Sequence, residues 1–229
     1  MARGDNKAEI RKRAIIIGLF LVVVNAYWVG IASELWYSVF TLVNPFSNAI
    51  FTLVVLIVLS FALGRISKTL SFSPAELLAI YVMVTMVSTI SGHAMMAILF
   101  GTLAHPFWFA SPENEWQQLF WKYIPSWFTV SDTEILREYF VGESTFHTVE
   151  RIRAWAIPML TWSSFIFVLY FSLLCISSIL RKQWMENERL SYPIIQLPVN
   201  MTTDRNFFRS KLMWIGFSIV ASIRLINLF

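Results

Sequence analysis

Five stretches of this chain are too apolar for too long to suit a water-soluble fold. They are residues 14–33, 45–64, 75–104, 154–180 and 212–229. A bilayer core of about 30 Å takes about 20 helical residues to cross, and the first four stretches reach that length or exceed it. Every backbone amide inside hydrocarbon must find its partner within the protein, so such segments are expected as helices. Composition agrees, with 57% hydrophobic and 14% charged residues over 229 positions, against about 25% charged in ordinary soluble domains. The expected fold class is therefore all-α: a polytopic transmembrane helical bundle with about five spans. The last stretch ends with the sequence at Phe229 and reads as a fifth helix cut short.

Charge assigns the loops to sides. Arg3, Lys7, Arg11, Lys12, Arg13, Arg65, Lys68, Arg181, Lys182, Arg189, Arg205, Arg209 and Lys211 fall in segments that alternate topology places together. The opposite side holds Lys122, Arg137, Arg151 and Arg153. Thirteen against four is a positive-inside pattern, which places the N-terminus in the cytoplasm and residues 105–153 outside. The expected location is the inner (cytoplasmic) membrane, multi-pass. The net charge of +4 then reflects topology and contact with lipid headgroups, and no nucleic-acid partner is expected. A basic start before an apolar run also fits a signal peptide with Val24-Asn25-Ala26 as a weak cleavage site, but the run is long for that role.

The resulting organisation is a basic N-terminus at 1–13, three spans within 14–104, an outer segment at 105–153, a fourth span at 154–180, a cytoplasmic arm at 181–211 and a fifth span at 212–229. Ser73-Pro74-Ala75-Glu76 marks a helix start, with a capping serine, a first-position proline and an early acid. In the outer segment, Ser111-Pro112-Glu113 precedes Trp116, Leu119, Phe120, Tyr123 and Ile124 at helical spacing, and Ser131-Asp132-Thr133-Glu134 reads as a capping box. Short amphipathic helices on the membrane surface are expected there, as a lid or as plain packing. Pro193 and Pro198 predict an extended or irregular path for residues 191–198.

Polar groups inside apolar blocks are the candidates for function. Thr85, Thr89 and His93 recur at i, i+4 and i+8, beside Ser88 and Gly92, so one face of the third block is polar and small. Ser88 and Gly92 permit close helix approach, and Gly92 marks a place where the helix can break. Thr85, Ser88, Thr89, Gly92 and His93 are thus substrate-path candidates, although close packing with a hydrogen-bonded His93 accounts for the same pattern. Arg224, a charge inside the last block, joins them, with snorkelling toward the interface as its alternative. Asn25 in the first block is expected to face another helix or shallow water.

Enzyme chemistry finds no starting point. No H-E-x-x-H, Walker A, dinucleotide glycine fingerprint or G-x-S-x-G occurs. His93, His105 and His147 are far apart, and Cys175 is the sole cysteine, so neither a metal motif nor a cofactor site is expected.

The least generic stretch is the arm. Its Arg181-Lys182-Gln183-Trp184, Glu186, Glu188-Arg189-Leu190, Tyr192-Pro193 and Gln196-Leu197-Pro198 are accompanied by Pro112, Asn114 and Trp116 within 107–116 and by Pro125-Ser126-Trp127. In these residues the chain resembles a group of uncharacterised bacterial polytopic membrane proteins related to oligopeptide transporters. The resemblance spans most of the sequence and implies the N-terminal portion of a longer, secondary-transporter-like protein. It implies transport of a peptide or small organic solute, and it carries over no binding residue; a coupling cation is expected as the partner of such a secondary transporter. The remaining helices, or a partner subunit, would complete the bundle. A non-transporting scaffold or assembly subunit is the alternative, and a membrane-embedded enzyme ranks behind both.

Overall fold

The computed structural model describes residues 10–35, 46–92, 95–142, 148–204 and 206–226. Among the described residues the structure is helical, with turns and no strand: α1 (Lys12–Leu35), α2 (Ser47–Ile66), α3 (Pro74–Ser91), α4 (Met96–Trp108), α5 (Trp116–Leu119), α6 (Thr133–Val141), α7 (Val149–Lys182), α8 (Pro193–Thr203) and α9 (Lys211–Ile226). By length and composition α1, α2, α3 and α7 can each cross a membrane, whereas α9 has 16 described residues. The chain is a membrane-helix-rich protein.

Two compact units contain these helices, one built from residues 1–95 with 192–229 and the other from 96–191. In the first, α1 and α3 run parallel, because Arg11 at the start of α1 pairs with Glu76 at the start of α3; α2 returns between them in sequence. Their core contains Leu53 and Leu56 of α2 and Leu77, Ile80 and Val84 of α3, with Ala14 of α1 and Met201 of α8. Gly18 lets α1 approach α3 closely, since a Cβ there would lie 2.7 Å from Met83 Sδ. The start of α3 follows its sequence signals: Glu76 N donates to Ser73 Oγ at 3.2 Å, Ser73 N donates to Glu76 Oε2 at 2.8 Å, and Pro74 takes the first turn.

The third apolar block is not one rod. Helix α3 stops at Ser91, Gly92 is extended (φ −69°, ψ 159°), and α4 begins at Met96. Met95 N donates to Gly92 O at 3.0 Å, an i to i−3 bond outside the α-helical ladder.

The arm also departs from its expected path. Residues 193–203 form α8, with Pro193 in its first turn and Pro198 inside it. Proline at the first helical position forfeits only an orphan amide. Pro198 does lose an internal bond, but Pro198 and Met201 are buried, and Met201 joins the Leu77 and Ile80 core, so packing offsets the loss. Just before it, Gln183–Asn187 widens into a π-turn and Arg189 takes φ 49°.

In the second unit α4, α6 and α7 share a core of Ala104, Phe107, Val130, Leu136 and Trp155. Asp132, rather than Ser131, caps α6 by accepting from Glu134 N and Ile135 N at 3.0 and 3.3 Å. Glu138 of α6 pairs with Arg151 of α7. The expected helix across 113–124 is reduced to α5 and a 3-10 turn at Trp121–Tyr123, because Asn114 folds the segment first. Its Oδ1 accepts from Ser111 N at 3.0 Å and Trp116 N at 3.2 Å, and its Nδ2 donates to Phe109 O at 2.8 Å. At 34 residues, α7 is about 51 Å long, well beyond a hydrocarbon core. Its excess includes the polar turn Glu150–Arg153 and the Arg181-Lys182 end, both suited to interfaces.

Candidate functional site

Hydrocarbon offers no partner for an amide or hydroxyl, so polar side chains on membrane helices gather where helices meet. Four do so in the first unit. Asn25 of α1, Asn48 and Thr52 of α2 and Ser88 of α3 are all buried, Asn48 at 1% exposure and Ser88 at 0%. Asn48 Nδ2 donates to Asn25 Oδ1 at 3.3 Å and to Ser88 Oγ at 2.7 Å, so one amide ties three helices. Thr52 Oγ1 lies 3.3 Å from Asn25 Oδ1 and 2.9 Å from Asn48 O. Ser88 Oγ donates to Val84 O at 2.7 Å, and Asn25 Nδ2 donates to Leu21 O at 3.2 Å. Asn48 Oδ1, also buried, accepts no hydrogen bond among the described residues. The junction contains no ionisable side chain. It can hold a polar group by hydrogen bonding and cannot itself exchange a proton by side-chain titration near neutral pH.

The break in the third block lies one turn beyond this junction. Gly92 is buried, and its N–H donates to Ser88 O at 3.1 Å, so the residue that closes α3 is bonded to a member of the network. Non-helical backbone at membrane depth is tolerated where protein or a polar cavity surrounds it.

At the opposite end of the same helices sits a charged lock. Arg11 grips Glu76 with two bonds, Nε to Oε1 at 2.6 Å and Nη2 to Oε2 at 2.7 Å. Arg13 Nη2 lies 3.7 Å from Glu76 Oε2. Both arginines also donate to the carbonyls of Thr69 and Ser71, including Arg11 Nη1 to Thr69 O at 2.9 Å and Arg13 Nη1 to Thr69 O at 2.6 Å. Arg13 further stacks over Phe72 at 5.2 Å. Glu76 has no exposed side-chain surface, whereas Arg11 keeps 42% of its own. The chain entering α1 is thereby fixed to the turn that starts α3.

The sequence candidates fall in different places. Ser88 belongs to the junction and Gly92 adjoins it. Thr85 and Thr89 bond back to their own helix, to Tyr81 O at 2.8 Å and Thr85 O at 3.0 Å, and Thr89 is exposed. They do not enter the Asn25–Asn48 network. His93 lies outside the described residues, and Arg224 falls near the described end of α9. Asn25 faces other helices, as expected of a buried amide. Asn48 and Thr52 are additions that sequence reading passed over, although their i, i+4 spacing on the second block was the available signal. Among the described residues no three His, Cys, Asp or Glu gather as a metal-binding group.

A family model matches residues 4–229, so the chain belongs to DUF6785, a family of unknown function. No curated protein matches the chain, and no solved structure matches it.

Proposed function

We propose that this member of DUF6785 is part of a secondary transporter that moves a small organic solute or peptide with a coupling cation. The observation that carries the reading is the interrupted third block. Helix α3 ends at Ser91 beside a buried, uncharged polar junction, and a new helix starts four residues beyond Gly92. Discontinuous membrane helices are the usual way to present backbone polar groups to a solute at depth. Asn48 Oδ1, which has no partner among the described residues, adds a place for a solute N–H or a water to bond. The resemblance to relatives of oligopeptide transporters points to peptides among the solutes to try.

The proposed setting is the cytoplasmic membrane with the N-terminus inside. Thirteen basic residues against four support that orientation. So does the packing of Met201 of α8 against Leu77, which puts part of the basic arm at the Arg11 end of the first unit.

The test is uptake by the full-length protein in proteoliposomes, under imposed proton and sodium gradients, over a panel of short peptides and organic solutes. Gradient-dependent accumulation is expected, slowed by Asn48→Leu in a variant that remains folded. Absence of uptake for the whole panel by correctly folded protein would sink the reading and favour a scaffold. In a Cys175→Ser background, a cysteine at Lys68 should label from the cytoplasmic side and one at Glu113 from the outside. The reverse pattern would overturn the orientation.

A further inference from the structure

Small-molecule sites span about 300–1,000 Å³, and a groove of ≈ 520 Å³ in the second unit shares no residue with the buried junction. The end of α4 contributes Phe107 and Trp108, the 3-10 turn contributes Trp121, and the segment at α5 contributes Glu115, Gln117 and Gln118. Two indoles, a phenyl ring, a carboxylate and two amides line one hollow.

Its walls are fixed before any ligand arrives. Trp121 Nε1 donates to Pro106 O at 3.0 Å, and its ring packs on Phe107 at 4.9 Å. Trp108 stacks on Phe140 at 5.4 Å with a 15° interplanar angle. Asn114 ties the turn that carries Glu115, whose backbone is left-handed at φ 51°.

Of the residues that line the groove, Glu115 alone is charged, and it is an acid. Between residues 107 and 134 stand Glu113, Glu115, Asp132 and Glu134 against Lys122 alone, and the Lys122 ammonium lies over the Tyr123 ring at 4.9 Å. The Ser111 hydroxyl and the Glu113 backbone amide hold the Glu113 carboxyl below its ordinary value. Aromatic faces and a carboxylate together favour a cation with an organic body, since the ring quadrupole and the anion attract the same charge.

We propose that this groove binds the ammonium group of a soluble organic amine, such as the free amino terminus of a short peptide, with Glu115 as its counter-ion and Trp108 and Trp121 as its aromatic walls. As the capture site of a transporter it rests on the function proposed above, but equilibrium binding is measured without transport and stands or falls separately.

The experiment is calorimetric titration of the full chain in phosphatidylglycerol nanodiscs, which contain no ammonium-bearing lipid. Trialanine with a free amino terminus should bind saturably at neutral pH, and N-acetylated trialanine should bind at least about tenfold more weakly. Tetramethylammonium should compete with trialanine. Glu115→Gln, an exposed change that leaves the packed rings in place, should weaken trialanine binding by about five- to tenfold, and Trp121→Phe by less than Trp121→Leu. Equal binding of free and acetylated peptide, no binding of either, or an unchanged affinity in Glu115→Gln would overturn the proposal. Loss of peptide binding when phosphatidylethanolamine is added would assign the groove to a lipid headgroup and overturn the soluble ligand.

Discussion

The two ends of the α1–α3 pair solve the same problem with opposite chemistry. At one end a fully buried carboxylate is held by two arginines that reach into solvent and clasp two loop carbonyls. At the other end Asn25, Asn48, Thr52 and Ser88 share neutral hydrogen bonds, two of them at 3.3 Å, and leave one acceptor without a partner among the described residues. The charged end is strong and over-supplied with donors. The neutral end is weak and short of one. A charge pair tolerates little separation once its carboxylate is buried, whereas amides and hydroxyls exchange partners at small cost. The difference makes the Arg11 end the firmer contact and the Asn48 end, next to the helix break, the softer one.

The largest expected effect tests the anchor. Removing both arginines, by Arg11→Ala with Arg13→Ala, leaves Glu76 buried and uncompensated, at a cost of about 3–5 kcal/mol. Adding Glu76→Gln should recover most of that loss, because a neutral amide needs no counter-ion and still serves at the third helical position of the cap. Chemical unfolding in detergent reads both steps. If the triple variant were no more stable than the double, the carboxylate would not be the source of the cost, and the end would owe its order to the carbonyl contacts of Thr69 and Ser71.

A smaller effect is expected at the neutral end. Asn48→Leu removes two interhelical bonds, and a double-mutant cycle with Ser88→Ala should give a coupling of about 0.6–1.7 kcal/mol. The cycle separates the shared bond from the packing changes of each single variant. A coupling as large as the arginine effect would erase the contrast between the two ends.

Sequence made the helices legible and most of the junction invisible. Apolar length alone located α1, α2 and α7, and Ser73-Pro74-Glu76 located the start of α3, because these signals are local. The all-α bundle followed. That Asn25 would face a helix or shallow water was also legible, since hydrocarbon offers an amide no partner, and the structure takes the first option. Its partners were not, because Asn48 is 23 residues away and meets Asn25 only once α2 turns back. The same holds for Arg11 and Glu76, 65 residues apart, whose individual roles in topology and capping are local while their pairing is not. Residues 193–203 show the reverse error. Two prolines spoke against a helix locally, and burial of Pro198 and Met201 overrode them.

The smallest expected change in stability separates two adjacent hydroxyls on α3. Ser88 and Thr89 differ by one position, or about 100° around the helix, and that rotation takes Ser88 into the junction and leaves Thr89 exposed. Thr89 Oγ1 bonds only to Thr85 O among the described residues, so Thr89→Val should alter stability by less than about 0.5 kcal/mol. Ser88→Ala breaks the bond to Asn48 and should cost more. Uptake in proteoliposomes then distinguishes the faces: if the solute follows the exposed polar stripe, Thr89→Val should slow transport while leaving unfolding unchanged. If Thr89→Val transports normally and only Ser88→Ala and Asn48→Leu slow it, the path runs through the junction, and the neutral end is where the helices move.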